Sequence, residues 1–304
     1  MMKSTAPTIP VFSQPATLER GWLLIYADLF KARLTLLVLL TTLVGFYLGS
    51  HGPANYPLLV STLLGTALVA SGAAALNQLL ERNYDRNMRR TEDRPLPSGR
   101  LQPQTVLLIG SVAAVVGLVC LAWAVNVTTC LLGAASLLSY LFVYTPLKRV
   151  TWLNTAVGAV PGALPPLMGW AAARGELGGA GWALFAIQAL WQLPHFLAIA
   201  WIYRDEYARA GFQMLPAVDP AGRRTGRQAV AFSLGLLAVS LCPYWLHLAG
   251  PAYLVGALVL GLGFLWFALG FARGATLPRA RLLFYASILY LPLLLVAMVL
   301  DKVR

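Results

Sequence analysis

A chain of 304 residues in which 59% are hydrophobic and only 11% charged, with a mean hydropathy of +0.69, is not one water-soluble globule, since soluble domains carry roughly 25% charged residues. The net charge of +12 would suggest nucleic acid in a soluble protein. Here the cations sit in links between apolar blocks, where they set orientation and meet anionic ligands, and no nucleic-acid partner is expected.

The first 27 residues hold three prolines, Lys3 and Arg20, without an apolar core running into a cleavage site. They read as a flexible cytoplasmic tail ahead of a single transmembrane domain, 28–304, and their Arg-poor character favours a bacterial plasma membrane over a mitochondrial precursor. Apolar blocks long enough to cross about 30 Å of hydrocarbon as helices then follow at 33–50, 57–80, 104–125, 128–147, 152–172, 181–203, 227–248, 251–272 and 281–300. The expected fold is therefore all-α: a bundle of nine helices in the lipid bilayer. Asn126 and Gly250-Pro251 mark tight hairpins, and the stretches 81–103 and 204–226 are the two long polar links. Within the fifth span, Gly158 and Gly162 form a GxxxG that favours close helix approach. Pro161, Pro165 and Pro166 distort the same span and free carbonyls to meet neighbours. Cys120, Cys130 and Cys242 are odd in number, lie in apolar spans and imply no disulfide.

With nine spans the termini face opposite sides. Alternate links then place 20 Lys and Arg residues on one side and only Arg174, Lys302 and Arg304 on the other. The positive-inside rule puts the N-terminus and both long links in the cytoplasm and the C-terminus outside.

Acids gather at the cytoplasmic ends of the second span and the sixth (Asp205, Glu206). Asn77, Glu81 and Asp85 are spaced four apart, so on a helix they form one oxygen-bearing stripe about 12 Å long. An amide at Asn77 would be costly against lipid and should face the bundle interior. Two helix C-termini carrying carboxylates favour a cation. Mg²⁺, which takes one or two protein carboxylates and leaves its other positions to water and phosphate oxygens, suits them. With Lys148 and the arginines on the same rim, the pattern describes a diphosphate site at the membrane boundary. Glu92 and Asp93 read as solvated loop charges.

On the sixth span Gln188, Gln192, His195 and Glu206 fall near one face if the helix stays straight, with Asp205 about 100° away. Pro194 should kink the helix and swing His195 towards a cavity, where a neutral imidazole could ligate haem iron. A hydrogen-bonded packing histidine is the alternative. His51 and His247, in or near outer links, receive only the packing reading.

The run from Asn77 to Leu96, the segment Tyr144-Thr-Pro-Leu-Lys148-Arg149, the stretch from Gly158 to Trp170, and Trp191-Gln-Leu-Pro-His195-Phe with Tyr203 to Gly211 and Met214-Leu-Pro216 resemble the UbiA superfamily of intramembrane prenyltransferases, in its haem-modifying branch. These motifs cover about residues 28 to 216 in order, and the superfamily's nine-helix bundle agrees with the span count. Glu81 stands where many relatives have Asp, and adjacent Asp205 and Glu206 are followed by Arg209 where the family has two acids four apart. The resemblance implies transfer of a farnesyl group from farnesyl diphosphate to a vinyl group of haem b, with water addition, giving haem O. It implies Mg²⁺ on Asn77, Glu81, Asp85, Asp205 and Glu206, leaving-group stabilisation by Lys148, Arg149, Arg90 and Arg94, and haem contacts from His195 and Gln192. Two readings stand beside it: the same enzyme class with a hydroxybenzoate, naphthoate or chlorophyllide acceptor, and a transporter with midplane solute sites. Any haem-handling or oxidase-assembly partner is not identified by the sequence.

Overall fold

The computed structural model describes residues 21–53 and 55–303. Among them nine helical segments are long and apolar enough to cross a membrane. In chain order the elements are α1 (Trp22–Leu29), α2 (Ala32–Gly49), α3 (Tyr56–Asp85), α4 (Pro103–Ala124), α5 (Val127–Leu138), a π-helical turn (Ser139–Tyr144) continuing into α6 (Thr145–Leu147), α7 (Asn154–Arg174), α8 (Gly178–Ile202), the short α9 (Arg204–Arg209) and α10 (Leu215–Val218), α11 (Arg223–Ser240) running into α12 (Cys242–Trp245), α13 (Pro251–Ala272) and α14 (Leu277–Leu300). No strand is present among the described residues apart from an isolated bridge between Ala249 and Lys302.

Most span limits fall within a few residues of those expected, and the differences are instructive. α3 runs on to Asp85, beyond the apolar block, because the charged side chains of its last turns are buried and paired. α11 and α14 begin before their apolar blocks, at Arg223 and Leu277. Of the expected tail, residues 1–20 lie outside the described residues. The part from Trp22 is helical, with Ile25 and Leu29 buried and packed on Leu96, Leu101 and Val106.

Hairpin chemistry follows the sequence. Asn126 caps α5, its side-chain oxygen accepting from the Thr129 amide at 2.8 Å, while its Nδ2 donates to the Ala171 carbonyl at the end of α7. At the far end of the bundle the Lys302 ammonium donates to the Tyr47 and Ser50 carbonyls at 2.6 and 2.7 Å, satisfying the open C-terminus of α2. Burial, with Arg174 nearby, lowers the Lys302 pKa. The Asp301 carboxylate accepts from the Tyr253 amide.

The centre is α7, buried over most of its length and packed on α2, α5 and α8. Its three prolines are accommodated without breaking the helix. Pro165 lacks an N–H for the Pro161 carbonyl four residues back, and the Ser136 hydroxyl donates to that carbonyl instead, at 3.0 Å. The closest backbone approach is made by Gly45 and Gly169. A Cβ on Gly45 would strike the Pro166 carbonyl, and one on Gly169 the Thr42 carbonyl. Gly158 and Gly162, expected to bring helices together, make room for side chains: the Tyr144 ring lies over Gly158 and the Gln192 amide over Gly162.

Gly169→Val should therefore force α2 from α7 and cost about 1–3 kcal/mol or more, lowering the thermal unfolding midpoint of detergent-solubilised protein. Gly263→Ala, at a glycine facing open space, should leave that midpoint unchanged or higher.

Candidate active site

The stripe on α3 faces inward. Asn77, Glu81 and Asp85 are 0%, 3% and 1% exposed, and each is held by a cation from a different segment. Asn77 Oδ1 accepts from Lys31 Nζ at 2.9 Å and from the Tyr140 hydroxyl at 3.1 Å, while its Nδ2 donates to Thr145 Oγ1 at 3.1 Å. Glu81 Oε1 accepts from Lys148 Nζ at 2.7 Å. Asp85 Oδ2 accepts from Arg94 Nη1 at 2.7 Å.

Local chemistry explains how each partner arrives. Lys31 stands at the break between α1 and α2 in a left-handed backbone conformation (φ 48°), uncommon for a residue other than glycine. The break is fixed from α3, where the Gln78 amide donates to the Asp28 and Leu29 carbonyls at the end of α1. Burial, reinforced by Arg94 and Lys148, pushes the Lys31 pKa down to about 7.

Lys148 follows the π turn. Pro146 offers no N–H to the carbonyl four residues back, and a π turn is one way a helix absorbs such a loss. The turn carries Tyr140 and Tyr144, stacked at 5.7 Å between ring centroids. The Lys148 ammonium lies 4.6 Å from the Tyr144 ring centre. Burial opposes its charge, but Tyr144 and Glu81 outweigh that and raise its pKa. Arg94 is delivered by the link after α3, which folds back where the Thr91 hydroxyl donates to the Asp85 carbonyl at 2.8 Å.

The other expected residues are placed differently. Arg90 donates to the Tyr207 hydroxyl at 3.0 Å and stacks over Tyr203 and Tyr207, joining the two long links. Beneath it Met88, Ala200, Tyr207, Ala210, Phe212 and Met214 form an apolar cluster against Tyr84, so both links close over the same end of the bundle. Arg149 turns away from Glu81, its guanidinium 3.8 Å from the Tyr84 ring centre.

Asp205 and Glu206 do not continue the face of α8. That helix ends at Tyr203, and both acids fall in the first turn of α9, where a helix N-terminus favours carboxylates. The Asp205 side chain is 89% exposed and reaches only Arg204, at 3.7 Å. Among the described residues no three His, Cys, Asp or Glu side chains gather into a metal-holding group.

Gln192 and His195 diverge. The Gln192 amide meets the Ala159 and Gln188 carbonyls at 3.5 and 3.1 Å, on the side of α7. His195 meets Ser287 of α14, its Nδ1 2.7 Å from the hydroxyl. α8 stays helical through Pro194.

Sequence reasoning missed Lys31 as a site residue, together with Tyr140, Thr145 and Tyr207. The available signals were a lysine one residue before a span, and two hydroxyl side chains on the helical run that ends at Lys148.

The Lys148–Glu81 pair supplies a direct test. Lys148→Met strands a buried carboxylate and should cost about 3–5 kcal/mol. The double variant Lys148→Met/Glu81→Gln should recover most of that loss in thermal unfolding. Equal stability of the single variant and wild type would show the pair to be energetically idle.

The pattern of the UbiA prenyltransferase family matches residues 38–295. A protoheme IX farnesyltransferase of Solibacter usitatus is 49% identical over 286 residues, covering 91% of this chain and 98% of that protein. One of Salinibacter ruber is 46% identical, with the same coverage of each. One of an Anaeromyxobacter species is 43% identical over 98% of this chain and 99% of its own. Among solved structures, a digeranylgeranylglyceryl phosphate synthase superposes with a TM-score of 0.79 at 15% identity, over 92% of this chain and 98% of that one. A UbiA homologue from Archaeoglobus fulgidus bound to DMAPP and Mg²⁺ superposes with a TM-score of 0.65 at 17% identity, over 90% and 98%. The fold is UbiA-like, and the chain belongs to the UbiA prenyltransferase family.

Proposed function

We propose that this multi-pass membrane protein transfers the farnesyl group of farnesyl diphosphate to a vinyl group of haem b, with a water supplying the hydroxyl on the adjacent carbon and giving up a proton, so that diphosphate is released and haem O is formed. The observation that carries the reading is the buried row Asn77, Glu81 and Asp85, each on its own cation at one end of the bundle. Relatives 41–49% identical over nine-tenths of the chain bear the name protoheme IX farnesyltransferase, which supports the choice of prenyl donor and acceptor. The bias of Lys and Arg supports an N-terminus and site towards the cytoplasm and a C-terminus outside; the family match over residues 38–295 supports a single domain, and the bacterial relatives a bacterial plasma membrane.

The donor set fits Mg²⁺. Two carboxylates and an amide oxygen are hard ligands, too few for a closed protein cage and suited to an ion that also takes phosphate oxygens. The solved archaeal homologue is bound to DMAPP and Mg²⁺, in keeping with that donor set. When bound, Mg²⁺ would neutralise phosphate oxygens and ease departure of the diphosphate. Asn77, Glu81 and Asp85 would hold it; Asp205, placed outward, and Glu206, in α9, have no place in this set.

The rest is the work of the chain's own side chains. Lys148 and Arg94 pair with the two carboxylates, and Lys31 and Arg90, bonded to neutral groups, leave an excess of positive charge that an anionic diphosphate balances. Fixed in place, these cations stabilise the negative charge that grows on the leaving group. The stacked Tyr140 and Tyr144 rings present π faces beside the same cations and can attract an allylic carbocation by its charge. The apolar cover of Met88, Phe212 and Met214 restricts water at this end, which protects the cation until the acceptor adds.

Full-length protein in lipid nanodiscs, supplied with Mg²⁺, farnesyl diphosphate and haem b, should yield haem O, identified by chromatography and mass. Chelating Mg²⁺ should abolish the product. Asp85→Asn and Asn77→Ala should each lower turnover by about 10²-fold or more with folding retained. Undiminished turnover by both variants would refute the site. Prenylation of a hydroxybenzoate with haem b inert would replace the acceptor.

A further inference from the structure

Where α11 begins, at the Asp85 end of the bundle, it borders a groove of about 340 Å³ lined by Trp152, Leu215, Arg224, Arg227, Gln228 and Ala231. That volume lies within the roughly 300–1,000 Å³ of small-ligand sites. Three segments make the walls: Trp152 comes from the turn between Lys148 and α7, Leu215 from α10 in the second long link, and the other four from the first turns of α11. Arg224, Arg227 and Ala231 are exposed. Trp152 has the amphipathic ring that settles at the level of lipid headgroups.

The two arginines are charge without counter-charge. Among the described residues neither guanidinium meets a carboxylate, and Arg227 Nε reaches the Arg223 carbonyl at 3.4 Å. The acid nearest in the chain, Asp219, is engaged on the backbone, its Oδ2 accepting from the Thr225 amide and hydroxyl at 2.7 and 2.9 Å. Arg204, on the same rim, has both Asp205 at 3.7 Å and the Trp201 ring at 4.6 Å. Steps of three and four residues put Arg224, Arg227, Ala231 and Leu234 on one face of α11, and Leu234 is 49% exposed. A cationic end thus passes, along one helix face, into apolar side chains that meet hydrocarbon.

We infer that this groove binds an anionic phospholipid of the adjoining leaflet, its phosphodiester between Arg224 and Arg227 and an acyl chain along Ala231 and Leu234. Guanidinium matches phosphate in geometry, and basic pockets at this level of a helical bundle suit lipid headgroups. A soluble anion would use the arginines and leave the apolar continuation idle, whereas a phospholipid uses both. No acid lines the groove to receive an ammonium group, which selects a net-negative headgroup over a zwitterionic one. The bound lipid also braces the cover of the α3 row. Leu215 stands two residues beyond Gln213, whose amide donates to the Lys148 carbonyl at 2.7 Å and whose carbonyl accepts from Asn154 Nδ2 at 2.8 Å. A headgroup seated between Trp152, Leu215 and α11 therefore steadies the second link where it holds the Lys148 backbone.

Full-length protein taken from micelles holding equal amounts of phosphatidylglycerol and phosphatidylcholine with matched acyl chains, and weighed with its retained lipids by native mass spectrometry, tests the site without any substrate. Wild type should retain phosphatidylglycerol in preference by about 10-fold or more. Arg224→Gln/Arg227→Gln should abolish the preference, and so should Ala231→Trp, which fills the groove and leaves both charges in place. Arg279→Gln/Arg281→Gln, which removes the same charge elsewhere on the rim, should keep it. All five positions are exposed, so folding is retained. The same preference in Ala231→Trp as in wild type would overturn the site, as would an equal loss in Arg279→Gln/Arg281→Gln, which marks diffuse surface attraction. Excess inorganic phosphate should leave the lipid in place, and its displacement would assign the arginines to a soluble anion instead. In nanodiscs, amide hydrogen exchange over 213–218 should be slower with phosphatidylglycerol than with phosphatidylcholine alone in wild type, and equal in Arg224→Gln/Arg227→Gln. A wild-type exchange rate indifferent to the lipid would refute the bracing.

Discussion

The structure is organised around a charge that cannot face lipid. Three oxygen-bearing residues within one span are tolerable only if each meets a partner inside the bundle, and the chain supplies those partners from three separate places. Lys31 comes from the break before α2, Lys148 from the end of the π turn, and Arg94 from the link beyond α3. Each pairing fixes the position of a segment whose own apolar pattern would leave it free to slide in the membrane. Hydrophobic matching sets the depth of a helix, but rotation and registry are set by contacts of this kind.

Backbone irregularities follow the same logic. The left-handed Lys31, the π turn before Lys148 and the end of α8 at Tyr203 are the places where a regular helix would point a polar side chain the wrong way. Prolines create some of these points and neighbours satisfy the groups they release, as Ser136 does for Pro161. Gly158 and Gly162 supply space at the same level, admitting the Tyr144 ring and the Gln192 amide where larger residues would exclude them.

How much of this was legible in the sequence depends on the kind of information each feature carries. Apolar blocks of span length and the i, i+4, i+8 spacing on α3 are local and periodic, so the helices and the inward stripe could be read directly. The cations were visible as a group, but not their pairing: Arg94 and Lys148 bond α3 carboxylates, whereas Arg149 covers Tyr84 and Arg90 ties the two long links together. The face of α8 was misjudged at its end because the straight-helix projection took no account of the stop at Tyr203, which moves Asp205 and Glu206 onto α9. α1 was hidden because its apolar run, Trp22–Leu29, is far too short to cross the bilayer, and it is held by Gln78 and by Leu96, Leu101 and Val106.

The two ends of the bundle finish their helices in opposite ways, and this asymmetry bears on what the protein can do. Away from Asp85, the Lys302 ammonium is spent on the carbonyls of Tyr47 and Ser50 and Asp301 on the Tyr253 amide, so charge there is consumed in closing the bundle. At the Asp85 end the cations exceed the carboxylates they bond, and two long links fold over them with an apolar underside. A carrier that alternates its opening between two faces would need comparable solute ligands within reach of both. A bundle with its unspent charge under one capped end is built to hold an anion while the rest of the same molecule extends into an apolar interior, which is the shape and polarity of a prenyl diphosphate.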